Sequence, residues 1–263
     1  MTVELLRAWE KRYGLLRPSR TEGGYRLYSD EDEERVHLMR RGLEAGLAAA
    51  EAANAALASP VTAADVDLAG AAGALRSSLE TFDDSGAHAA FDRLLAAFTF
   101  ETIARDVILP FLRELGDRWE RGEVSVAQEH FASNLLRGRL LSLARGWDRG
   151  VGPRAVLACA PGERHEIALI VFGIALRDEG WRITYLGADT PVGSLSPEGA
   201  AAIVVAATSQ ARLKAVATEL EQLARKVDVA IAGAGASATL AKRLAVRLLP
   251  PDPFHAASEL AAG

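Results

Sequence analysis

Two groups of residues in this 263-residue chain pair reactive side chains at spacings that could do chemistry. Trp119 is followed, after nine residues, by Glu129-His130, in a stretch whose apolar residues recur at helical intervals. Glu163-Arg164-His165 follows the apolar run 155–160, where a strand would hand over to a helix. An imidazole at such a crossover suits metal ligation, because one ring nitrogen can face the metal while a neighbour holds the other. An indole face packs well on a flat apolar ligand, and a Glu-His pair supplies hydrogen bonds to its polar parts. Taken singly, each group also fits a plainer reading: a bundle-core tryptophan, a solvated Glu-His pair, a loop histidine.

The elements that must position these residues follow two patterns. From 74 to 147 the pattern is repeatedly helical, as in Leu75/Leu79, Phe91/Leu94/Leu95, Ile108/Leu109/Leu112/Leu115 and Phe131/Leu135/Leu136/Leu140. Four amphipathic segments with short breaks predict a helical bundle over 74–150. After Gly152-Pro153, short apolar runs (155–160, 183–186, 202–207, 229–231, 245–249) alternate with helical stretches (166–178, 211–226, 238–243). This alternation predicts a parallel α/β sheet of Rossmann or flavodoxin type over 151–263. The Ala-rich stretch before the bundle reads as a helical or loose connector, assigned to 51–73, and residues 1–50 form a separate head.

Bulk properties narrow the possibilities. Apolar residues make up 49% and charged residues 25%, and no uncharged apolar run approaches a membrane span. The charged N-terminus has no apolar core of a signal peptide. The single cysteine, Cys159, lies in an apolar run and reads as a buried, inert thiol, which fits a reducing cytoplasm. The net charge is −5, yet Arg7, Lys11, Arg12, Arg17, Arg20 and Arg26 face only Glu10 and Glu22 between residues 7 and 26. A local basic patch in an acidic chain is the usual footprint of phosphate contact.

In the head, residues 2–13 predict a helix ended by Gly14, and Gly23-Gly24 a hairpin. Ser29 with Asp32 predicts the start of a second helix. The run Leu6-Arg7-Ala8-Trp9-Glu10-Lys11-Arg12-Tyr13-Gly14-Leu15, followed by Arg20-Thr21-Glu22-Gly23-Gly24-Tyr25-Arg26-Leu27-Tyr28, resembles the MerR winged-helix signature. The resemblance implies that Arg7 and Arg12 line the DNA-facing helix and that Arg20, Tyr25 and Arg26 reach phosphates from the wing. Trp9, Leu6 and Tyr28 would hold the small core. Relatives open with an additional helix, and this chain starts at what resembles their second.

The remainder resembles the cobalamin-binding module of the MerR-type, light-responsive regulators often called the CarH/LitR family. Trp119 and Glu129-His130 match the W-x9-EH pattern of that family's helical cap, with Val126 at an apolar contact. The resemblance implies that these residues surround the adenosyl group of adenosylcobalamin. Glu163-Arg164-His165-Glu166-Ile167-Ala168 resembles the corrinoid fingerprint [D/E]-x-H-x-x-G, with Ala168 in place of glycine. It implies that His165 is the lower axial ligand to cobalt and Glu163 its supporting partner. The family's Ser-x-Leu element is degraded to Ala206-Ala207-Thr208-Ser209, leaving Ser209 as its counterpart, while Gly233-Ala234-Gly235 matches the Gly-rich turn beside the nucleotide tail. Arg164 and Asp189 match positions at subunit contacts.

The resemblance implies a multidomain α plus α/β protein: a truncated MerR-like winged helix, a helical cap and a Rossmann-like domain. It implies a transcriptional regulator, not an enzyme, with adenosylcobalamin as chromophore, an operator DNA and its own copies (a tetramer in the dark) as partners, and no membrane. Glu120 stands where light-sensing relatives carry a histidine that captures cobalt, so the light-state ligand is either water or His130. Two other readings stay open: a light-independent corrinoid sensor, and a carrier module of a corrinoid methyltransferase or mutase.

Overall fold

The computed structural model describes residues 3–20, 26–44, 46–58 and 67–263. The chain divides into two compact units, one of residues 1–73 with 89–98 and the other of residues 74–88 with 99–263.

In the first unit, α1 (Val3–Tyr13) ends at Gly14, whose φ of +61° favours glycine and turns the chain back. Two short antiparallel strands follow, β1 (Ser19–Arg20) and β2 (Arg26–Leu27), with Ser19 opposite Leu27. The helix α2 (Asp30–Glu44) is entered through a reciprocal cap: Ser29 N–H donates to the Asp32 carboxylate at 3.1 Å while Asp32 N–H donates to Ser29 Oγ at 3.2 Å. Asp32 also accepts from Arg17 N–H at 2.6 Å, so one buried carboxylate joins the chain before the hairpin to the helix after it.

The core of this unit is Trp9, Leu15, Leu16, Val36 and Met39, closed by Ala52, Ala53 and Ala56 of α3 (Ala49–Ala58). The start of the stretch assigned as connector is therefore a core helix. Its residues are alanines because α2 and α3 approach closely: a Cβ at Gly42 would lie 2.8 Å from Ala52 Cβ. Tyr28, expected in the core, is exposed, while Leu15 and Leu16 are buried with Trp9.

Helices α4 (Leu68–Glu80) and α5 (Asp84–Ala97) are each divided between the units. In the second unit a helical stretch begins with α6 (Phe100–Thr102), widens to a π-helix at Ile103–Ile108 and continues as α7 (Leu109–Glu120). The widening has a cause in Pro110, which offers no N–H and crowds the carbonyl one turn back; Leu109 N–H reaches instead to Ala104 O. Arg76 Nη2 donates to Glu114 at 2.6 Å and Arg118 pairs with Glu80, tying the end of α4 to α7. α8 (Val126–Leu143) opens on a capping box between Ser125 and Gln128, and Gln128 Nε2 also donates to Glu80 O.

The α/β part contains β3 (Arg154–Cys159), α9 (Ile167–Asp178), β4 (Arg182–Gly187), β5 (Ala202–Ala206), α10 (Gln210–Ala215), α11 (Ala217–Ala224), β6 (Asp228–Ala232), α12 (Ala238–Leu244), β7 (Arg247–Leu248) and α13 (Pro253–Ala262). All five strands are parallel, in the order β4-β3-β5-β6-β7. Val156, Ala158, Ile203, Val205, Val229 and Ile231 alternate onto one face and pack with Leu213, Leu220, Leu240 and Leu244. The helix expected over 211–226 breaks at Val216 (φ −112°, ψ 21°) into α10 and α11. The run 245–249 contributes only Arg247–Leu248 as strand.

This strand order places first-strand β3 beside third-strand β5. The chain leaves β3 toward β4 on one side and returns to β5 on the other, so the loops after β3 and β5 part at the carboxyl edge. In open α/β sheets a ligand is expected at that parting.

Candidate functional site

His165 stands in the loop after β3, at this parting. Its Nδ1 lies 2.6 Å from Glu163 Oε1, and its backbone N–H donates to the same oxygen at 2.9 Å. The other oxygen, Oε2, accepts from Thr208 N–H (2.7 Å), Thr208 Oγ1 (2.6 Å) and Arg212 Nη1 (2.8 Å). Glu163 is 0% exposed. Burial opposes its ionisation, but the Thr208 hydroxyl, the His165 and Thr208 N–H groups and the imidazole all donate to the anion and hold the carboxyl down at about 2. An ionised carboxylate only accepts, so Nδ1 directs a hydrogen at Glu163 and Nε2 is the ring nitrogen left without a protein partner. The His165 side chain is 73% exposed. A single presented imidazole supplies one ligand, which suits a metal arriving with its other positions already filled.

The loop that carries this pair is braced from β4. Gly162 N–H donates to Asp189 Oδ1 at 2.6 Å, and Asp189 N–H donates to Glu163 O at 2.9 Å. Asp189 holds φ at +48°, a conformation aspartate tolerates better than most residues. The carboxylate expected at a subunit contact is thus already engaged within its own chain, while Arg164 is exposed. Cys159 is buried behind the loop, its thiol pushed up to about 12 by burial and by the nearby Glu166 and Glu163 charges. That accords with an inert thiol.

The hydroxyl beside Glu163 belongs to Thr208, not to Ser209. Ser209 sits at the N-cap of α10, where its side chain makes no cap bond. Gly233 and Gly235 serve a close approach of backbone to backbone: a Cβ at Gly233 would lie 2.5 Å from Ala207 O, and one at Gly235 2.5 Å from Ser209 C. They let the loop after β6 lie on the loop after β5 and so support Thr208. Thr208 and Arg212 complete the hydrogen bonding of Glu163, and the sequence alone assigns neither of them to it. Their spacing of four, across the start of a helix that follows an apolar strand, was the available signal.

Glu166, the residue after His165, is buried and forms a second node. Arg137 of α8 pairs with its Oε1, and Tyr185 Oη donates to Oε2 at 2.5 Å. Burial, followed by that bond to Glu166, raises the Tyr185 phenol, keeping it protonated and donating. Trp147 meets the Tyr185 ring edge-on at 5.4 Å between centroids.

On the helical side, Trp119 is 47% exposed at the end of α7, and Val126 is exposed at the start of α8. Glu129 bridges His130 Nδ1 (2.6 Å) and Ser133 Oγ (2.7 Å), so His130, 69% exposed, is oriented as His165 is, with Nε2 open. Val126, His130, Asn134 and Arg137 form an exposed stripe along α8 at helical spacing, and its last member is the arginine on Glu166. Glu120 is exposed at the end of α7.

In the first unit, Arg7 and Arg12 lie on the exposed side of α1, Arg12 over the Tyr13 ring at 5.6 Å. Arg26, expected to reach phosphates, donates its Nε to Glu10 at 2.8 Å, which fastens β2 to α1. Arg20 lies in β1, its side chain outside the described set, and Tyr25 lies outside the described residues.

Comparison with known proteins gives two family models on this chain: "MerR HTH family regulatory protein" over residues 1–58 and "B12 binding domain" over residues 72–143. The chain is 34% identical to the HTH-type transcriptional repressor CarH of Myxococcus xanthus, over 94% of this chain and 90% of that one. It is 39% identical to the HTH-type transcriptional repressor CarA of the same organism, over 72% of this chain and 65% of that one. Among solved structures, the monomethylamine corrinoid protein of Methanosarcina barkeri matches with a TM-score of 0.59 at 18% identity, covering 72% of this chain and 95% of that one, a likeness of fold.

Proposed function

We propose, for a chain that belongs to the CarH/CarA family of HTH-type transcriptional repressors, that cobalamin controls its hold on DNA and that the adenosyl form makes this control light-responsive. The observation that carries the reading is the His165 imidazole, backed by a buried, ionised Glu163 at the switch point of the sheet. The donor set fits a cobalt corrinoid: one exposed nitrogen with its partner nitrogen held, and an exposed indole on the helical side. In this reading His165 would hold the cobalt, while Trp119, Val126, Glu129 and His130 would contact the adenosyl group. Thr208, beside the Ser209 expected at the cofactor, supports Glu163.

Bound adenosylcobalamin supplies a cobalt–carbon bond that light can break. The chain's own residues do the rest. Before illumination Trp119 and the Glu129-His130 pair hold α8 over the site, and several copies assemble, as a tetramer, with exposed Arg164 at their contacts. When those upper contacts are lost, α8 shifts and the copies part. A single small DNA-binding head binds weakly and several linked heads bind well, so loss of assembly is enough to release the operator. Residues 74–150 act as the cap, 151–263 as the cobalamin-binding domain and 1–50, extended by α3, as the DNA-binding head. No described helix is long and apolar enough to cross a membrane.

Titrating adenosylcobalamin into the protein in darkness is expected to give a larger species on size exclusion, which illumination converts back. Uptake of the pigment with an unchanged elution volume would overturn the assembly step, and a dark-stable and light-stable larger species would overturn the light response. On DNA, Arg7→Ala and Arg12→Ala are each expected to reduce the slope of log K against log salt by about 1, because each removes one phosphate contact. Wild-type slopes in both variants would remove α1 from the interface.

A further inference from the structure

We propose that Arg212 is a positioning residue for the axial imidazole: by pinning one oxygen of Glu163 it fixes the other on His165 Nδ1 and so aims Nε2. The inference rests on the reading of His165 as a ligand and extends it to a residue outside the fingerprint. Five donors reach the Glu163 carboxylate, and they are unequally shared. Oε1 takes the two from His165, and Oε2 takes the two from Thr208 and the one from Arg212. Three donors on one oxygen exhaust its acceptor capacity and lock the carboxylate plane against rotation. With Oε2 held, Oε1 has one place to be, 2.6 Å from Nδ1.

Arg212 also orders the other donor on that side. Its Nη1 lies 3.2 Å from Thr208 Oγ1, and an arginine cannot accept, so the hydroxyl receives that bond and turns its own hydrogen toward Glu163. Thr208 is neutral. Arg212 is thus the fixed positive charge on Glu163, supplied from the side opposite the imidazole, and a buried anion requires such a partner. The guanidinium comes from α10, a different element from the loop that carries His165, so it joins two loops that the sheet topology separates. Thr208 stands two residues before α10 and Arg212 lies in the first turn of that helix, so one side chain reaches both the hydroxyl and the carboxylate.

The test compares Arg212→Met with Arg212→Lys, using protein with 15N-labelled histidine and no cobalamin. Long-range proton–nitrogen spectra of the parent should show His165 as a single Nδ1–H tautomer with Nε2 bare. Arg212→Met should show a mixture of tautomers, and Arg212→Lys should recover much of the parental pattern. With cobalamin added in darkness, Arg212→Met should bind about tenfold more weakly. Its long-wavelength absorption should move toward that of His165→Ala. An unchanged tautomer and affinity in Arg212→Met overturns the proposal, as does a loss of thermal stability alone. If Arg212→Met does not fold, Arg212→Gln, which keeps a donor without the charge, is measured in the same way. A parent that takes up no cobalamin, yet whose tautomer responds to Arg212, would overturn the functional reading and leave the positioning role standing.

Discussion

His165→Ala is expected to leave a folded protein that no longer takes up cobalamin with a protein-derived nitrogen on cobalt. The imidazole is mostly exposed, and its loop is held by other groups: Asp189 on Gly162, and Thr208 and Arg212 on Glu163. Its removal deletes the presented Nε2 and little of the packing. Loss of a residue that merely supports a ligand typically costs ten- to a hundredfold in metal affinity, so loss of the ligand should cost more than about a hundredfold. The measurement is uptake of pigment in darkness with its absorption spectrum, beside far-ultraviolet circular dichroism to check the fold. Parental uptake with a parental spectrum would remove this imidazole from the site.

The second large effect is expected from Glu163→Gln, and it falls on stability as well as binding. The amide keeps one acceptor oxygen and introduces two hydrogens into a pocket already filled with donors. Whichever way it turns, either Thr208 with Arg212 or the imidazole faces an N–H group. Removing one partner of a buried ion pair costs about 3–5 kcal/mol. The pH dependence has a definite sign. The folded carboxyl sits at about 2 against an ordinary 4.5, so its contribution is complete above about pH 4.5 and is lost as pH falls through 2. That shift corresponds to about 3 kcal/mol. Urea denaturation should therefore show a gap between parent and variant that is constant near neutrality and closes between about pH 4.5 and 2. A gap that does not change with pH would mean that the carboxyl is not held ionised by its partners.

These residues also show what a sequence makes legible. His165 and Glu163 were readable because they are close in the chain and follow an apolar strand. Glu129-His130 was readable because helical periodicity surrounds it. The α/β alternation gave the sheet, since each strand is a short apolar run. Thr208 and Arg212 were not assigned, because their partner lies 45 and 49 residues away and only the strand order brings them together. The pairing of Arg26 was hidden for the same reason: its partner Glu10 is on another element, and no local pattern reports the bond. The stretch of α3 reads only as a helical or loose connector because close packing against Gly42 calls for alanine, which carries little periodic signal. The C-terminal helix α13 was missed although its start is marked. Asp252 caps it, accepting from His255 N–H at 2.8 Å, and Pro253 occupies its first turn.

Glu166 has a mechanical consequence. The residue after His165 is gripped by Arg137, and Arg137 rides on the same helix as Glu129 and His130. That carboxylate works as a tether between α8 and the start of α9. If α8 shifts as proposed, it either breaks that pair or drags the first turn of α9 along, so the shift is a two-outcome event instead of a gradual slide. Amide exchange at the head of α9 and along α8 should then quicken together, in one step, or not at all.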